Sequence, residues 1–338
     1  MRIAIDAMGG ELGVQATIPG IYYALQSLND PYLKFVVFGK SSEILPLVNQ
    51  YNLSQNVEII DVQDVVLDTD NPFKIFQMGN ITSMGKAISA VKEGEADGVV
   101  SSGSTSGYVT LAHKIFELMP GVSKIALPAV LPGKIGQTIF LDVGASINTA
   151  EQDLVQFAIM GSLLYTAQFG DATPVVGLLN IGTEDIKGPT FIKKANSLLK
   201  LETRLNYKGF IEGTDLFKGE IQVVVTDGYA GNIALKAIEG VANFIGDLIK
   251  DELSSSLWRK IASLGAINSL RQVRQKIDKR RYNGAVLLGL NNLAVKSHGS
   301  ADAQAFAAAI SVAYRVISNE LIKKVRIAFE KTKTEQLG

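Results

Sequence analysis

The chain has 338 residues, of which 47% are hydrophobic and 20% are charged, a composition typical of a globular protein with a large core. Lysine plus arginine and aspartate plus glutamate number 33 each. This balance argues against a general nucleic-acid-binding role, because a phosphate backbone demands a surplus of positive charge. The absence of cysteine excludes disulfides, thiolate metal sites and a cysteine nucleophile, and it favours a cytoplasmic protein.

Short β-branched runs alternate with helical patterns along the chain, which predicts a single, mostly parallel sheet in a three-layer α/β/α fold. The predicted strands are Arg2–Asp6, Lys34–Gly39, Val57–Asp61, Gly98–Ser101, Thr138–Asp142, Val175–Asn180 and Gln222–Thr226. One helix is expected to begin at Thr149, with a capping bond returned by Gln152, and one final helix is expected from about Ser300. We interpret residues 1–338 as one domain, with an amphipathic and basic helical insertion over 251–285.

Polar residues and glycines collect where the predicted strands end, which is where an α/β sheet builds its ligand crevice. Asp6 ends the first strand, and Gly9 and Gly10 follow it, a pair that would let backbone amides approach an anion. The loop 101–107 is either a phosphate cradle or a plain turn with a helix cap. The other candidate phosphate-binding residues are Ser102, Gly103, Ser104, Thr105, Asp142 and His298.

Two further residues are candidates for the chemical step. Lys187 lies in the polar loop after strand 175–180, where a cation would meet developing negative charge. Asn232 precedes a helix predicted over Ile233–Glu239, where its amide would hold an oxyanion or serve only as a cap. The two histidines and the lack of zinc-binding spacing predict no metal, and the missing GxGxxG motif argues against a dinucleotide, so no cofactor is expected.

The predicted insertion differs in character from the rest of the chain. Its apolar stripe and two of its basic residues are Leu253, Leu257, Trp258, Ile261, Leu264, Arg271 and Arg274. Such a segment suits an acidic carrier protein or an anionic lipid surface. An interface between two copies of the chain is an equally good interpretation of the apolar stripe.

Six ordered blocks resemble the phosphate acyltransferase family. They are IDAMGG at 5–10, VSSGSTSG at 100–107, LDVGAS at 141–146, GLLNIGTEDIKG at 177–188, VVVTDGYAGNIALK at 223–236 and LLGLNNLAVKSHGSADA at 287–303. The family usually has asparagine where Ser104 and Ser146 stand. The resemblance implies a fold like that of isocitrate and isopropylmalate dehydrogenases, a homodimer, a site containing Lys187 and Asn232, and loose association with the inner face of the cell membrane.

The resemblance also implies an activity, the transfer of a fatty acyl group from acyl carrier protein to inorganic phosphate. The acyl phosphate would pass to a membrane glycerol-3-phosphate acyltransferase for phospholipid synthesis. Attack of phosphate on a thioester needs no protein nucleophile, because a thiolate is a fair leaving group. Three alternatives stay open: a phosphotransacetylase-like enzyme that uses coenzyme A, a dehydrogenase of similar fold, and a catalytically silent lipid-surface scaffold.

Overall fold

The structure is a computed structural model that describes residues 1–67, 69–170, 173–254 and 278–335. Its strands are β1 (Arg2–Asp6), β2 (Lys34–Gly39), β3 (Val57–Asp61), β4 (Gly98–Ser101), β5 (Ala129–Pro132), β6 (Gln137–Leu141), β7 (Val175–Leu179), β8 (Asn206–Ile211), β9 (Val223–Val225), β10 (Ala285–Val286) and β11 (Ala294–Lys296). Its helices are α1 (Val14–Leu28), α2 (Ser41–Gln50), α3 (Pro72–Met78), α4 (Ser83–Lys92), α5 (Thr105–Phe116), α6 (Glu151–Phe169), α7 (Thr190–Leu201), α8 (Gly228–Ser254), α9 (Ala303–Ser318) and α10 (Leu321–Glu335).

The first sheet has six strands in the order β10-β11-β4-β1-β2-β3. Strand β1 pairs in parallel with β2 and β4, and β11 pairs in parallel with β4, so only β10 runs antiparallel. All four residues of β4 are buried, as are four of the five in β1, which is the pattern of central parallel strands covered on both faces. Strands β1, β4 and β11 therefore end side by side at one edge of this sheet.

The second sheet has five strands in the order β5-β6-β9-β7-β8, and only β5 is antiparallel. Its central strand is β9, whose three valines are buried. Leu141 pairs with Val225, and Leu178 pairs with the same residue from the other side. The loops that follow β6, β7 and β9 consequently leave one edge of the second sheet together.

The α/β class predicted from the sequence is confirmed, but the prediction of a single sheet is wrong. The chain leaves the first sheet after α5, and isolated bridges join Leu118 to Leu290 and Ala126 to Leu288 before the β5–β6 hairpin opens the second sheet. The largest buried cluster nevertheless contains strand residues of both sheets, including Ile3 and Ile139. The two sheets therefore share one hydrophobic core.

Two helix predictions need correction. Helix α6 begins at Glu151, and the Asp153 carboxylate accepts a hydrogen bond from Ala150 N (2.8 Å), whereas the Thr149 hydroxyl donates to Ser146 O and does not cap the helix. The final helix is in fact two, because Glu320 adopts a positive φ of 52° between α9 and α10. The carboxylate of Asp302 caps α9 by accepting from Ala305 N.

The described ranges contain no single helix long and apolar enough to cross a bilayer, although α9 and residues 321–330, bent by 51°, pass that test as a pair. Most of the predicted insertion lies outside the described residues. This applies to Leu257, Trp258, Ile261, Leu264, Arg271 and Arg274. Leu253 lies near the end of α8 and is half-buried. The interpretation of 251–285 as an insertion stays a prediction.

Candidate functional site

Asp6 is the centre of a buried polar network at the end of β1. Asp6 is 1% exposed, and its two carboxylate oxygens accept hydrogen bonds from the hydroxyls of Ser83 and Ser101, each at 2.7 Å. Burial raises the pKa of Asp6, while these hydrogen bonds and the positive charge of Lys296 oppose that rise. Because both oxygens are occupied, Asp6 acts on the site by positioning the loops around it.

Three loops meet directly above this network. The Ser102 hydroxyl donates to Gly9 O (2.8 Å), and Glu11 N donates to Gly299 O (2.9 Å). A Cβ built on Gly9 would lie 2.5 Å from Gly103 N, closer than any real side chain approaches a backbone atom. The predicted phosphate loops after β1, β4 and β11 are thus brought into contact, and glycine is required where they touch.

Of the two interpretations of the loop 101–107, the structure shows the helix cap, and the phosphate cradle stays a prediction. Ser104 is the N-cap of α5, and its hydroxyl accepts from Gly107 N, a bond that at 3.5 Å is long. Thr105 is the first residue of α5, so the positive end of the helix dipole points at the loops that meet at Gly9. A helix N-terminus in this position is suited to an anion, and the cap formed by Ser104 does not exclude the predicted phosphate role of the loop.

His298 and Lys296 border the same loops. Ser300 N donates to Nδ1 of the exposed His298 (3.1 Å), so in the neutral ring the proton resides on Nε2. Lys296 ends β11 and is 6% exposed, and its ammonium donates to Ser297 O. Sequence reasoning missed Lys296, although a lysine that ends the apolar run LAVK is a usable signal, because a buried lysine requires compensation.

A second group forms around Asp142 at the edge of the other sheet. Its residue is fully buried, and its carboxylate accepts from four backbone amides, those of Leu127 (2.8 Å), Gly144 (3.2 Å), Ala145 (3.1 Å) and Ser146 (2.7 Å). Burial raises the pKa of Asp142, and the four amides oppose that rise. Asp142 therefore lies at the edge of the second sheet and not with Gly9 and Gly10, and its carboxylate stabilises the turn that follows it.

Asn232 contacts this turn. Its side-chain Nδ2 donates to Val143 O (2.9 Å), and a Cβ on Gly144 would lie 2.5 Å from that nitrogen. Helix α8 begins at Gly228, five residues before the predicted start, so Asn232 lies in its second turn and is not the cap. The carboxylate of Asp227 accepts from the amides of Tyr229 and Ala230 instead.

Lys187 lies on the exposed loop that follows β7. Its ammonium pairs with Glu184 (2.8 Å), and this hydrogen bond and charge raise the pKa of Lys187. The buried side chain of Asn180 holds the loop, because its Nδ2 donates to Gly182 O and to Lys187 O, each at 3.1 Å. Sequence reasoning named neither Asn180 nor Glu184 as a functional residue.

Lys187 and Asn232 leave neighbouring strands of the second sheet at the same edge, since β7 pairs with β9. In the described ranges each has its own partner, and no hydrogen bond joins the two side chains. The Asp142 turn also contacts elements of the first sheet's side of the molecule. The Ser146 hydroxyl donates to Ile125 O, and Ala145 packs on the hydrophobic cluster that contains Tyr108 of α5. Two groups of loops, one from each sheet, therefore form the candidate site.

The chemistry of these residues is that of anion binding. Within the described ranges, no group of three or more histidine, aspartate or glutamate side chains is arranged to hold a metal ion. The loops offer backbone amides, hydroxyls, a helix N-terminus and lysines. Such donors stabilise an oxyanion or a phosphate.

A family model described as fatty acid synthesis protein matches residues 1–324. Phosphate acyltransferase from Azorhizobium caulinodans is 40% identical over 329 residues, which are 96% of this chain and 92% of that protein. Phosphate acyltransferase from Maricaulis maris is 39% identical and covers 97% of this chain and 95% of its own length. The chain belongs to the phosphate acyltransferase family. The resemblance read from the six sequence blocks is confirmed.

Solved structures outside the family share the fold. A phosphotransacetylase from Streptococcus pyogenes superposes with a TM-score of 0.59 at 18% identity and covers 96% of this chain and 94% of its own. A branched-chain phosphotransacylase from Enterococcus faecalis gives 0.56 at 13% identity and covers 94% of this chain and 99% of its own. At these identities the likeness shows the fold alone.

Proposed function

We propose that this chain catalyses the transfer of a fatty acyl group from the thioester of acyl carrier protein to inorganic phosphate, with acyl phosphate for phospholipid synthesis as the product. Membership of the phosphate acyltransferase family supports the reaction. The observation that carries the assignment of the site is the contact of three loops at Gly9, Gly103 and Gly299, above a fully buried aspartate.

In this proposal the loops of the first sheet hold phosphate. The amides near Gly9 and Gly10, the N-terminus of α5 at Thr105, and His298 supply donors of the kind that bind phosphate oxygens. The buried lysine at 296 adds positive charge without ending in solvent. A phosphate dianion held here needs no general base, because it is already a competent nucleophile near neutral pH.

The loops of the second sheet would hold the thioester. A phosphate oxygen attacks the carbonyl carbon, the tetrahedral oxyanion forms, and the carbon–sulfur bond then breaks to release the carrier thiolate. Lys187 and Asn232 are the proposed donors to the oxyanion. Glu184 is exposed and its ion pair with Lys187 is a surface pair, so the ammonium can exchange it for the developing anion at a cost of about 1 kcal/mol or less.

The test is phosphate-dependent release of carrier thiol by the purified full-length protein. Lys187→Ala should lower kcat by roughly 10²-fold, because one oxyanion donor is lost. Lys208→Ala is the matched control, since Lys208 is also an exposed lysine in an ion pair, with Glu220 on the same sheet. Equal turnover by Lys187→Ala and Lys208→Ala would remove Lys187 from the mechanism.

The same assay discriminates between carriers. The proposal expects faster turnover with an acyl carrier protein thioester than with the coenzyme A thioester of the same acyl group. The reverse preference would support the phosphotransacetylase-like alternative, for which the structural neighbours supply only a shared fold. Thiol release that does not depend on phosphate would contradict both.

The proposal includes a homodimer and contact with the membrane. Helix α8 exposes large apolar residues on one face, at the helical spacing Val241, Phe244, Ile245, Leu248 and Ile249. Such a face supports burial against a second copy of the chain. Phe244→Glu should convert the dimer to monomer in light scattering, whereas a monomeric unaltered protein would contradict the dimer. Co-sedimentation with anionic vesicles tests the membrane contact.

A further inference from the structure

A cavity of about 300 Å³ lies away from the Asp142 turn, and its lining residue Tyr282 directly precedes Asn283, whose side chain bonds to Ser297 and to His298 N. It opens between β5, β6, the end of α6, α9 and the 3₁₀ turn Lys279–Tyr282. Gln137, which begins β6, lines it, whereas Asp142 directly follows the end of β6, about 16 Å farther along the strand direction. None of its described lining residues belongs to the candidate active site.

Three side-chain donors that line the cavity, those of Arg315, Gln168 and Arg281, are available to a ligand as far as the described ranges show. Arg315 Nε is buried without a hydrogen-bond partner. Gln168 is 8% exposed, and no hydrogen bond joins its side chain to the described residues. Arg281 lines the same cavity and forms no ion pair in the described ranges, although the preceding Arg280 pairs with both Asp278 and Asp302.

The charged side chains among the described lining residues are the guanidiniums of Arg281 and Arg315. No carboxylate stands among its described lining residues. Burial lowers the pKa of Arg315 from its ordinary value, because a guanidinium removed from water requires a counter-charge.

We propose that this cavity is a binding site for a small organic anion, with an oxyanion group held by Arg281 and Arg315. The planar forks of two guanidiniums fit the oxygens of a phosphate or a carboxylate in paired hydrogen bonds. Gln137 and Gln168 provide amides for further oxygens, and Phe169 and Val312 provide apolar walls for the body of the ligand. The volume is at the lower end for ligand pockets, which suits a ligand of metabolite size.

The test is titration calorimetry of the full-length protein with phenyl phosphate and, separately, with benzoate. At least one probe should bind to the unaltered protein, and which of the two binds identifies the ligand as a phosphate monoester or a carboxylate. Arg281→Gln and Arg315→Gln should each weaken that binding at least about tenfold, because each removes a charge-assisted hydrogen bond. Arg326→Gln, on the exposed face of α10, is the matched control and should bind as the unaltered protein does.

Arg315→Gln separates this site from the phosphate loops at Gly9, because Arg315 lies in the last turn of α9, whereas Arg281 is close in sequence to Asn283, which bonds to Ser297 and His298. An unchanged KM for phosphate in both arginine variants shows that those loops are undisturbed. Arg281 is exposed, so its substitution tests the site even if Arg315→Gln fails to fold. Probe binding that remains in the double variant, which carries both Arg281→Gln and Arg315→Gln, would belong to the phosphate loops. The difference in probe binding between the unaltered protein and this double variant measures the cavity. Absence of binding by both probes, or identical titrations for the double variant and the unaltered protein, would overturn the proposal.

Discussion

The substitution Gly9→Ala tests whether the contact between the loops after β1 and β4 creates the anion site. Gly9 has an ordinary backbone conformation, since its φ is not positive, so the effect of a methyl group there is purely steric. The new Cβ would lie 2.5 Å from Gly103 N and 2.7 Å from Asp6 Oδ2, and ordinary contact begins at 3.4 Å. The loops must therefore separate by 3.4 minus 2.5, or about 0.9 Å.

A displacement of this size should affect binding more than folding. Overpacking of one methyl group costs about 1–3 kcal/mol of stability, which a domain of this size tolerates. A misplacement of about 1 Å in a positioned site costs on the order of 10²-fold in rate. We expect kcat/KM for phosphate to fall about 10²-fold, mostly through KM, since the loops that move are those proposed to hold phosphate.

The assay is initial-rate release of carrier thiol at varied phosphate and saturating acyl carrier protein thioester. Gly240→Ala is the control, because a Cβ at Gly240 meets nothing within 4 Å and alanine is the better helix former. If Gly9→Ala retains KM and kcat for phosphate within about twofold while it folds normally, the assignment of the phosphate site to these loops is wrong.

Substitutions at three further residues test the two loop groups. Lys296→Met should raise the phosphate KM roughly tenfold, because it removes the buried charge beside Asp6. Lys296→Arg should restore part of the lost affinity. An unchanged KM for the methionine variant would exclude a role of this charge in phosphate binding. Glu184→Gln removes the partner that raises the pKa of Lys187, so the alkaline fall in kcat/KM should begin at a lower pH. An unchanged pH profile would show that the ion pair does not determine the pH of this fall. Asp142→Asn should destabilise the fold by roughly 2–4 kcal/mol in urea unfolding, because an amide cannot accept all four backbone hydrogen bonds; a midpoint equal to that of the unaltered protein would contradict this.

The sequence predicts β1, β2 and β4 well because they are nearly continuous apolar runs, and it also predicts the edge strand β3, in which three of the five residues are apolar. Strands β1 to β4 have the predicted bounds, and all of them belong to the first sheet. Strand β8 is not predicted because Asn206–Ile211 is an edge strand that begins with the exposed polar residues Asn206 and Lys208 and contains a glycine, so its apolar run is short. Strands β10 and β11 have two and three residues, too few for any periodicity.

The sequence predicts the residues of the candidate site one by one, but it does not predict that they divide between two sheets. Glycine and hydroxyl residues after strands mark each loop, whereas the assignment of Asp6 and Asp142 to different sheets depends on pairings more than 80 residues apart, such as Ile139 with Val223. The hydrogen-bond partners of the two aspartates are not predictable either. An aspartate that accepts bonds from hydroxyls or backbone amides has the same position in the sequence, after a strand, as one that contacts a substrate. The predicted cap at Thr149 is wrong because the helix begins at Glu151 with Ala150 at the N-cap position, so Thr149 lies one residue too early, and its hydroxyl donates to Ser146 O.

The division of the strands between two sheets has a consequence for how such an enzyme changes in evolution. Under the proposed function, the inorganic substrate and the acylated carrier rest on separate supports that are joined through a shared core and the segment 125–127. Replacements in the loops after β6, β7 and β9 can then alter which acyl donor is accepted while the recognition of phosphate stays the same. Selectivity for one reactant is in this way free to diverge without rebuilding the other half of the reaction centre.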